Sequence, residues 1–268
     1  MGKTGPAEVR LGHPDAERFQ AAVNRVVSLD ERERVGIGMQ KEKSVHAILK
    51  DYMDPDPSHQ EIPVGNYIAD IFDGQGITEI QTANFYAMRE KLAAFLPEYP
   101  VRIVYPIPHV KYVTWIDPAT GELLETNRRG VKGSFYEVFR ELYRIDSFLA
   151  DPNLTIHPVL LDLTEYRVRD GWSTDGKRGS HRYDRVPSGI FDEIDLKTAA
   201  DYLRLVPESL PEPFTAKEFE NSAGIHRKAV SFATVLRILT QVGAVERVGV
   251  TQRRAYLYRR RECRNQST

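Results

Sequence analysis

The chain has 268 residues, of which 41% are hydrophobic and 28% are charged, and its formal net charge is −1 at pH 7. This composition predicts a globular protein with one large domain or two ordinary ones, and it excludes wholesale disorder. We find no apolar signal-peptide core at the N-terminus and no stretch of about 18 apolar residues, so we expect neither secretion nor a membrane span. The single cysteine, Cys263, rules out a disulfide within the chain and favours a reducing compartment.

The first 106 residues alternate between helical and strand-like patterns. Residues 15–27 form a helical run with polar flanks, and we interpret residues 1–35 as a peripheral helical arm. The patterns that follow are a helix at 40–53, strands at 61–64, 67–72 and 77–81, a helix at 84–96, and a buried strand at 101–106. This order predicts an α/β unit in which helices flank a mixed sheet.

The middle of the chain gives weaker signals. The predicted elements are an inserted hairpin formed by 111–116 and 122–126, a helix at 135–150, and a strand at 158–169. Residues 170–185 indicate a long polar loop whose cations and aromatic side chains suit nucleic acid. We single out Lys177 and Arg178 as candidate contacts, while Trp172 serves equally well to anchor this loop on the core.

The charge is distributed unevenly along the chain. From residue 215 to the C-terminus there are eleven basic and four acidic residues, a net charge of +7, so the rest of the chain carries −8. Clustered Lys and Arg side chains attract phosphates and release counterions on binding. A basic module on an acidic body is therefore typical of a nucleic-acid docking domain. A solvated face with a basic tail would give the same charge distribution.

The C-terminal region has the element order of a helix-turn-helix followed by a basic hairpin. The predicted elements are a helix at 195–205, a short helix from the capping box Thr215–Glu218 to Gly224, a long helix to about Val242, and strands at 244–249 and 254–258. Over residues 195–260 this order resembles the winged-helix family. The resemblance implies an α+β unit that binds duplex DNA, although such modules also bind proteins.

The winged-helix resemblance also implies particular DNA contacts. A recognition helix meets the major groove with its N-terminal residues, which here are His226, Arg227 and Lys228. The loop between the two strands corresponds to the wing, where Arg253 and Arg254 would reach phosphate or a minor groove. Basic side chains that are solvated and bind no partner would give the same sequence pattern.

The sharpest prediction concerns the Asp-Gly-Gln-Gly sequence that follows Phe72. A tight reversal over these four residues pairs Phe72 with Ile77. Asp70 then lies directly opposite Glu79, with the two Cβ atoms about 5 Å apart, and Gln81 shares their face. Two carboxylates and an amide oxygen would be open to solvent together, and hard cations such as Mg²⁺ or Mn²⁺ prefer these oxygen ligands.

Over residues 40–106 the order of elements is similar to the core of the PD-(D/E)XK nuclease superfamily, especially its Holliday-junction-resolvase-like and restriction-endonuclease-like members. Asp70 matches the metal-binding aspartate of the superfamily, and Glu79-Ile-Gln81 stands where E-x-K is usual. The resemblance implies a metal-dependent nuclease. It also implies that Glu42, on the preceding helix, adds a carboxylate to the metal shell.

Gln81 departs from the pattern of the superfamily. The lysine at that place is thought to position or polarise the attacking water, and a glutamine carries no positive charge. Some restriction enzymes of the superfamily have Gln there and still cut. Lys91 on the next helix is an alternative source of charge, although the helical period does not show that it points inward. His46, one turn after Glu42, is interpreted as helix surface or support.

We therefore predict a restriction-endonuclease-like domain over residues 36–190, a winged helix over 191–262, and a tail over 263–268. The predicted activity is hydrolysis of DNA phosphodiesters with Mg²⁺ or Mn²⁺ held by Asp70 and Glu79. Two other interpretations stay open: a non-catalytic DNA-binding protein or regulator with a degenerate nuclease-like domain, and a protein–protein adaptor. The expected partner is DNA, a homodimer is left open, and the expected location is the cytoplasm, or the nucleoid if the source is prokaryotic.

Overall fold

The computed structural model describes residues 10–33, 44–129, 132–172, 178–223 and 230–261. Within these ranges, the side chains of residues 28–33, 128–129, 169–172 and 178–182 are not described. In this part of the chain seven strands form one mixed sheet with helices packed on both of its faces. The predicted α/β architecture, a mixed sheet flanked by helices, is confirmed.

The described helices are α1 (Ala16–Glu33), α2 (Ser44–Met53), α3 (Arg89–Phe95), α4 (Phe139–Leu142), α5 (Ala199–Leu203), α6 (Ala216–Ser222) and α7 (Phe232–Gln241). The strands are β1 (Gln60–Val64), β2 (Tyr67–Phe72), β3 (Ile77–Ile80), β4 (Val101–Ile116), β5 (Leu123–Arg129), β6 (Leu154–Trp172), β7 (Arg178–Glu193), β8 (Val245–Val250) and β9 (Tyr256–Arg260). None of these helices combines the length and the apolar character that crossing a membrane requires.

The strands of the large sheet follow the order β1-β2-β3-β4-β6-β7, and β5 pairs with the second half of β4 as the predicted inserted hairpin. β1, β2 and β3 form an antiparallel meander. β3, β4 and β6 are parallel neighbours, and α3 connects β3 to β4. A crossover of this kind is needed because parallel strands cannot be joined by a tight turn.

Apolar layers cover both faces of the sheet. On one face, Phe19 of α1 and Ile48 of α2 are buried with Ile80 and Val104 of the sheet. On the other face, α3, residues 135–149 and the C-terminal helices form a larger core. β4 is apolar over most of its first half because both of its faces are covered. Since α1 contributes to a core layer, the predicted arm is not peripheral.

The prediction of a long polar loop at 170–185 is wrong. β6 runs to Trp172 and β7 begins at Arg178, so these strands form one long antiparallel hairpin. Four register shifts along the pair break the alternation of apolar and polar residues on which strand prediction depends. β7 continues to Glu193, so the predicted domain boundary at 190/191 falls inside a strand.

The C-terminal elements differ from their predicted bounds at several places. Capping boxes open α5 at Thr198 and α6 at Thr215, and the second of these is the one predicted from the sequence. α7 begins at Phe232, after the extended residue Ser231, so the prediction of a long helix from about His226 is wrong. β8 and β9 form the predicted antiparallel hairpin. The helix predicted at 135–150 consists of α4 between two 3-10 segments.

The C-terminal elements share their core with the sheet. The rings of Phe219 and Phe232 pack against Tyr136, with centroids 5.8 and 5.7 Å away. These residues belong to the same buried cluster as Ile103 and Tyr105 of β4. The sheet and the C-terminal elements are thus held together by apolar packing.

Candidate active site on strands β2 and β3

The turn after β2 fixes the register of the site. The carboxylate of Asp73 accepts the main-chain N–H groups two and three residues later, at 2.8 and 2.9 Å. Gly74 adopts a left-handed φ of +83°, which glycine accommodates without strain. Phe72 pairs with Ile77 across this turn, so the register predicted from the sequence is confirmed.

Successive residues at the end of β3 donate their main-chain N–H groups to opposite sides. Gln81 donates to the carbonyl of Val104 in β4 at 2.9 Å. The N–H of Ile80 points the other way, towards β2, and is accepted by the carboxylate of Asp70 at 2.7 Å. The side chain of Asp70 is therefore held at the end of the β2–β3 ladder by a main-chain donor.

Glu79 is the second carboxylate of the site, and only 4% of its side chain is exposed. Its Oε1 accepts the N–H of Asp70 at 3.4 Å, and its Oε2 accepts a hydrogen bond from Nζ of Lys91 at 2.6 Å. Lys91 comes from the first turn of α3, which packs on the sheet beside β3. A positive charge therefore reaches Glu79 from the helix that follows β3.

His46 contacts the site from the other face of the sheet. It lies on α2, and its Nε2 is 3.2 Å from Oδ2 of Asp70. Because α2 and α3 cover opposite faces, the two carboxylates are contacted from both sides, Asp70 by His46 and Glu79 by Lys91. The main-chain N–H of Asp70, which Glu79 accepts, links these two side-chain contacts at the end of the sheet.

The two carboxyl groups differ in their affinity for a proton. Burial, followed by the charge of Asp70, raises the pKa of Glu79 to about 7, and the hydrogen bond from Lys91 opposes part of this rise. Burial by itself would also raise the pKa of Asp70. The hydrogen bond with His46, the charge of His46 and the N–H of Ile80 outweigh that effect and hold the pKa of Asp70 below its ordinary value. Asp70 is thus ionised at neutral pH, where Glu79 exchanges a proton.

The predicted site residues are assembled only in part. The register places Asp70 and Glu79 on neighbouring strands, and Glu79 accepts the main-chain N–H of Asp70. The two side chains take their partners from opposite faces of the sheet, and Glu79 is buried, so the expectation of a shared face open to solvent is wrong. The amide of Gln81 donates to the main-chain carbonyls two and three residues later and so bonds the loop after β3. Glu42 lies outside the described residues.

Glu141 supports the site although nothing in the sequence marks it. Its Oε2 accepts the N–H of Phe85 at 3.1 Å, and the guanidinium of Arg144 lies 3.3 Å from the same oxygen. Phe85 begins the 3-10 segment that leads into α3, so this bond fixes the start of the helix that carries Lys91. The two bonded residues are 56 positions apart, and only the fold brings them together.

Within the described ranges, no three or more His, Cys, Asp and Glu side chains are arranged to hold a metal ion. Asp70 and Glu79 offer two carboxylates. Mg²⁺ commonly binds proteins through one or two carboxylates and completes its shell with water and substrate phosphate. A cation would also relieve the repulsion between the two carboxylates that contributes to the raised pKa of Glu79. Among the described residues, these two carboxylates are the oxygen donors at this end of the sheet, and both already accept hydrogen bonds.

A second surface of interest lies on the C-terminal elements. A groove runs between the start of α6, the start of α7 and the turn that joins β8 to β9, and Lys217, Arg253, Arg254 and Tyr256 are among its lining residues. All four are exposed. The guanidinium of Arg247 lies over the ring of Tyr256, 4.4 Å from its centroid. This groove therefore presents several cations to solvent.

The other predicted DNA contacts cannot be located on this surface. His226, Arg227, Lys228 and Lys177 lie outside the described residues, and Arg178 contributes its backbone to β7. Several C-terminal arginines are paired with carboxylates, namely Arg237 with Asp146 at 2.8 Å, Arg259 with Glu246 at 2.5 Å and Arg260 with Glu212 at 2.6 Å. These ion pairs partly offset the positive charge of the region.

The described residues define a mixed α/β protein with a carboxylate–lysine site where β2 and β3 separate. The chain matches the family described as "Domain of unknown function (DUF8091)" over residues 43–197, more than half of its length, and it belongs to this family. The matched region contains Asp70, Glu79 and Lys91. The chain is also similar to an uncharacterized protein of Treponema pallidum (strain Nichols), with 26% identity over 201 residues, which cover 72% of this chain and 77% of that protein. No solved structure matches the chain significantly.

Proposed function

We propose that this protein acts on DNA as a metal-dependent nuclease of the PD-(D/E)XK type. Asp70 and Glu79 are the proposed ligands of Mg²⁺ or Mn²⁺, and Lys91 replaces the lysine that the E-x-K motif normally provides. The observation that carries the proposal is the contact of 2.6 Å between Nζ of Lys91 and the buried carboxylate of Glu79, which also accepts the main-chain N–H of Asp70. Buried charges are costly, and strongly perturbed carboxyl groups cluster at functional sites.

The order of elements around the pair supports the same proposal. α2, β1, β2, β3, α3 and β4 follow one another as helix, three antiparallel strands, helix and parallel strand. This is the order on which the resemblance to the restriction-endonuclease-like core rests. The two carboxylates sit on the second and third strands, and the lysine sits on the helix that follows them.

Each residue of the site has a distinct role in the proposed hydrolysis. When bound, the metal ion would neutralise the scissile phosphate and lower the pKa of a bound water. Asp70 supplies a negative charge that is present at neutral pH, and His46 orients it. Glu79 completes the pair once its proton has left. Nζ of Lys91 supplies positive charge beside the metal ligands, where it would orient the attacking water or a phosphate oxygen.

The C-terminal elements support DNA as the substrate. Helices α5, α6 and α7 and the β8–β9 hairpin follow the order of a winged helix, with Arg253 and Arg254 on the turn that corresponds to the wing. Exposed arginines of this kind bind phosphates independently of sequence. Duplex DNA would dock along the groove between α6, α7 and this turn.

A second candidate function is a non-catalytic DNA-binding protein or regulator. It is favoured by the near-complete burial of Glu79 and by the hydrogen bonds that turn the amide of Gln81 towards the loop after β3. In that case the contact between Glu79 and Lys91 would serve the stability of the sheet, and the C-terminal elements alone would act on DNA.

The decisive experiment is incubation of the purified protein with plasmid, branched and single-stranded DNA in Mn²⁺. The comparison is Glu79→Gln, which keeps the shape of the side chain and removes its charge, and the matched control is Glu98→Gln on the surface. We expect wild type and control to cut at least one substrate and Glu79→Gln to be slower by about 100-fold or more. Equal products from wild type and Glu79→Gln would overturn the enzyme proposal.

If neither wild type nor the variants cut DNA, a binding measurement distinguishes the DNA-binding protein from the protein-binding adaptor. Affinity for duplex DNA should fall steeply with salt. In the double variant Arg253→Gln/Arg254→Gln, the slope of log affinity against log salt should become shallower by about 2. Binding that is weak and independent of salt would exclude both DNA-directed functions and favour a protein-binding adaptor.

A further inference from the structure

A band of arginine and tyrosine side chains begins beside the candidate active site. The guanidinium of Arg89, two residues before the lysine of the site, lies over the ring of Tyr86 at 5.5 Å. Its Nη1 donates to the carbonyl of Arg144 at 3.4 Å. The neighbouring ring of Tyr143 is covered by the guanidinium of Arg237 at 4.6 Å. We call these five residues, Tyr86, Arg89, Tyr143, Arg144 and Arg237, the arginine–tyrosine strip.

The strip joins the proposed nuclease site to the C-terminal elements. Tyr86 lies in the 3-10 segment before α3, and Arg89 is the first residue of α3. Tyr143 and Arg144 follow α4, and Arg237 is on α7. Contacts link each of these segments to the next. A ligand that follows the strip would therefore run from the groove-bearing C-terminal elements towards the helix that carries the site lysine.

The strip is exposed despite its large aromatic rings. Tyr86 is 63% exposed and Tyr143 is 47% exposed, and the side chains of Arg144 and Arg237 are 44% and 54% exposed. The arginine contacts fix the orientation of both rings while much of each ring remains in water. Exposed aromatic rings that are held in one orientation offer flat faces on which the bases of a nucleic acid can stack.

The strip also offers positive charge. Among the described residues, two acids contact the strip: Glu141, which is buried and bonded to a main-chain N–H, and Asp146, which accepts a bond from one nitrogen of Arg237. A guanidinium has five N–H donors, so these contacts use only part of the capacity of the three arginines. The remaining donors suit the oxygens of a polyanion.

We propose that the arginine–tyrosine strip binds a single-stranded segment of DNA, with phosphates on the arginines and bases stacked on the tyrosines. Each of the two rings has a guanidinium over it, so each base that stacked on a ring would have a cation nearby for a phosphate of the strand. A duplex keeps its bases stacked internally and could use only the arginines. This inference rests on the proposed function and specifies its substrate, a strand that leaves a duplex at the C-terminal elements and passes to the site.

The experiment is a binding titration in EDTA, where no metal-dependent cleavage occurs, with a labelled thymidine oligonucleotide and an abasic oligonucleotide of the same length. The variants are Tyr86→Leu/Tyr143→Leu and Arg89→Gln/Arg237→Gln. The matched controls are Arg25→Gln, which breaks an exposed ion pair with Asp51, and Tyr183→Leu, which replaces an exposed tyrosine. Thermal unfolding of each variant shows whether the fold is kept, and the single variant Tyr86→Leu replaces the double variant if it is not.

We expect the tyrosine variant to bind the thymidine oligonucleotide about tenfold or more weakly and to bind the abasic one as wild type does. The arginine variant should bind both more weakly, with a salt slope reduced by about 1.4 because two phosphate contacts are lost. Strip variants that bind like the controls, or a tyrosine variant that weakens both oligonucleotides equally, would overturn the inference. If the strip variants bind DNA more weakly but wild type does not cut DNA in Mn²⁺, only the nuclease proposal is refuted. If wild type cuts DNA but the strip variants bind it as well as wild type does, only the inference about the strip is refuted.

Discussion

The protonation of Glu79 determines when the proposed metal ligands are available. Burial and the charge of Asp70 raise its pKa to about 7, so below that pH a proton occupies the carboxyl group. A metal ion must displace this proton. We therefore expect the affinity for Mn²⁺, measured by calorimetry, to fall by about tenfold for each pH unit below 7 and to level off above it.

Asp70 cannot be the source of that pH dependence, because its pKa is held below the ordinary value and it stays ionised in this range. The heat of binding in buffers of different ionisation enthalpy should report the release of one proton near pH 6 and of almost none near pH 8. An affinity for Mn²⁺ that is constant from pH 6 to pH 8 would contradict the assignment of Glu79 as a ligand.

Lys91 acts on the same carboxylate in the opposite direction. Lys91→Met keeps the length of the side chain and removes the charge that lowers the pKa of Glu79. We expect the pH at which Mn²⁺ affinity levels off to move upward and the rate of DNA cleavage to fall by about 100-fold. Lys197→Met, at an exposed position, is the control. An unchanged pH profile together with lost cleavage would show that Lys91 does not act through Glu79.

On the scale of secondary-structure elements, His157 ties β6 to the end of β7 and to the segment that leads into α5. Its Nδ1 lies 2.8 Å from Oδ1 of Asp195, and its Nε2 lies 3.2 Å from Oε2 of Glu193. Both ring nitrogens face carboxylates, so both must carry protons to donate. Burial would lower the pKa of His157, but the bonds to the two carboxylates outweigh it and raise the pKa.

The contact of His157 with the two carboxylates makes the free energy of unfolding depend on pH, and the direction of this dependence follows from the raised pKa. Because the pKa of His157 is raised by folding, its contribution is fully present below the pKa of the unfolded chain. That contribution is lost as pH rises through the pKa of the folded protein. We expect His157→Gln to lower the free energy of unfolding by about 1–3 kcal/mol at pH 5.5–6, since it leaves the carboxylates without a charged donor. Urea titrations should show this difference shrinking towards alkaline pH, and a constant difference would contradict the prediction.

Local turn and cap chemistry made some elements predictable from sequence. The Asp-Gly-Gln-Gly reversal set the register of β2 and β3 because Asp73 can bond the N–H groups two and three residues later. The Thr215–Glu218 capping box likewise marked the start of α6. Both signals lie within four neighbouring residues, so they can be recognised without knowledge of any tertiary contact.

Other features depend on contacts that sequence patterns do not contain. Register shifts break the alternating pattern along β6 and β7, so the sequence indicates a loop after Arg169 where the structure has a long hairpin. The direction of Lys91 depends on how α3 rotates when it packs on the sheet, which the period of a seven-residue helix cannot fix. The burial of Glu79 follows from the layers on both sides of β3. The sequence therefore predicts the pairing of β2 with β3, but not the shielding of Glu79 from water or the opposite faces from which the two side chains are contacted.

On the scale of the whole molecule, the proposed site and the proposed docking unit are joined by one buried core. That core extends from Ile103 of β4 through Tyr136 to Phe219 and Phe232 of the C-terminal helices. Modules that share a core unfold together, whereas modules joined only by a linker unfold separately. A rigid connection would also keep the groove, the arginine–tyrosine strip and the carboxylate pair at fixed separations.

We therefore expect a single cooperative transition in calorimetry, and we expect Phe232→Ala to shift all of it. Phe232 is 5% exposed and packs on Tyr136 and Phe219, so the truncation should cost about 3–5 kcal/mol through lost burial and the cavity that remains. Hydrogen exchange should then quicken in β4 as well as in α7, because both would open in the same unfolding event. Val248→Ala, at a residue 44% exposed on β8, should change neither. Two transitions, of which Phe232→Ala moves only one, would mean that the C-terminal elements form an independent module and that their position relative to the site is not set by the shared core.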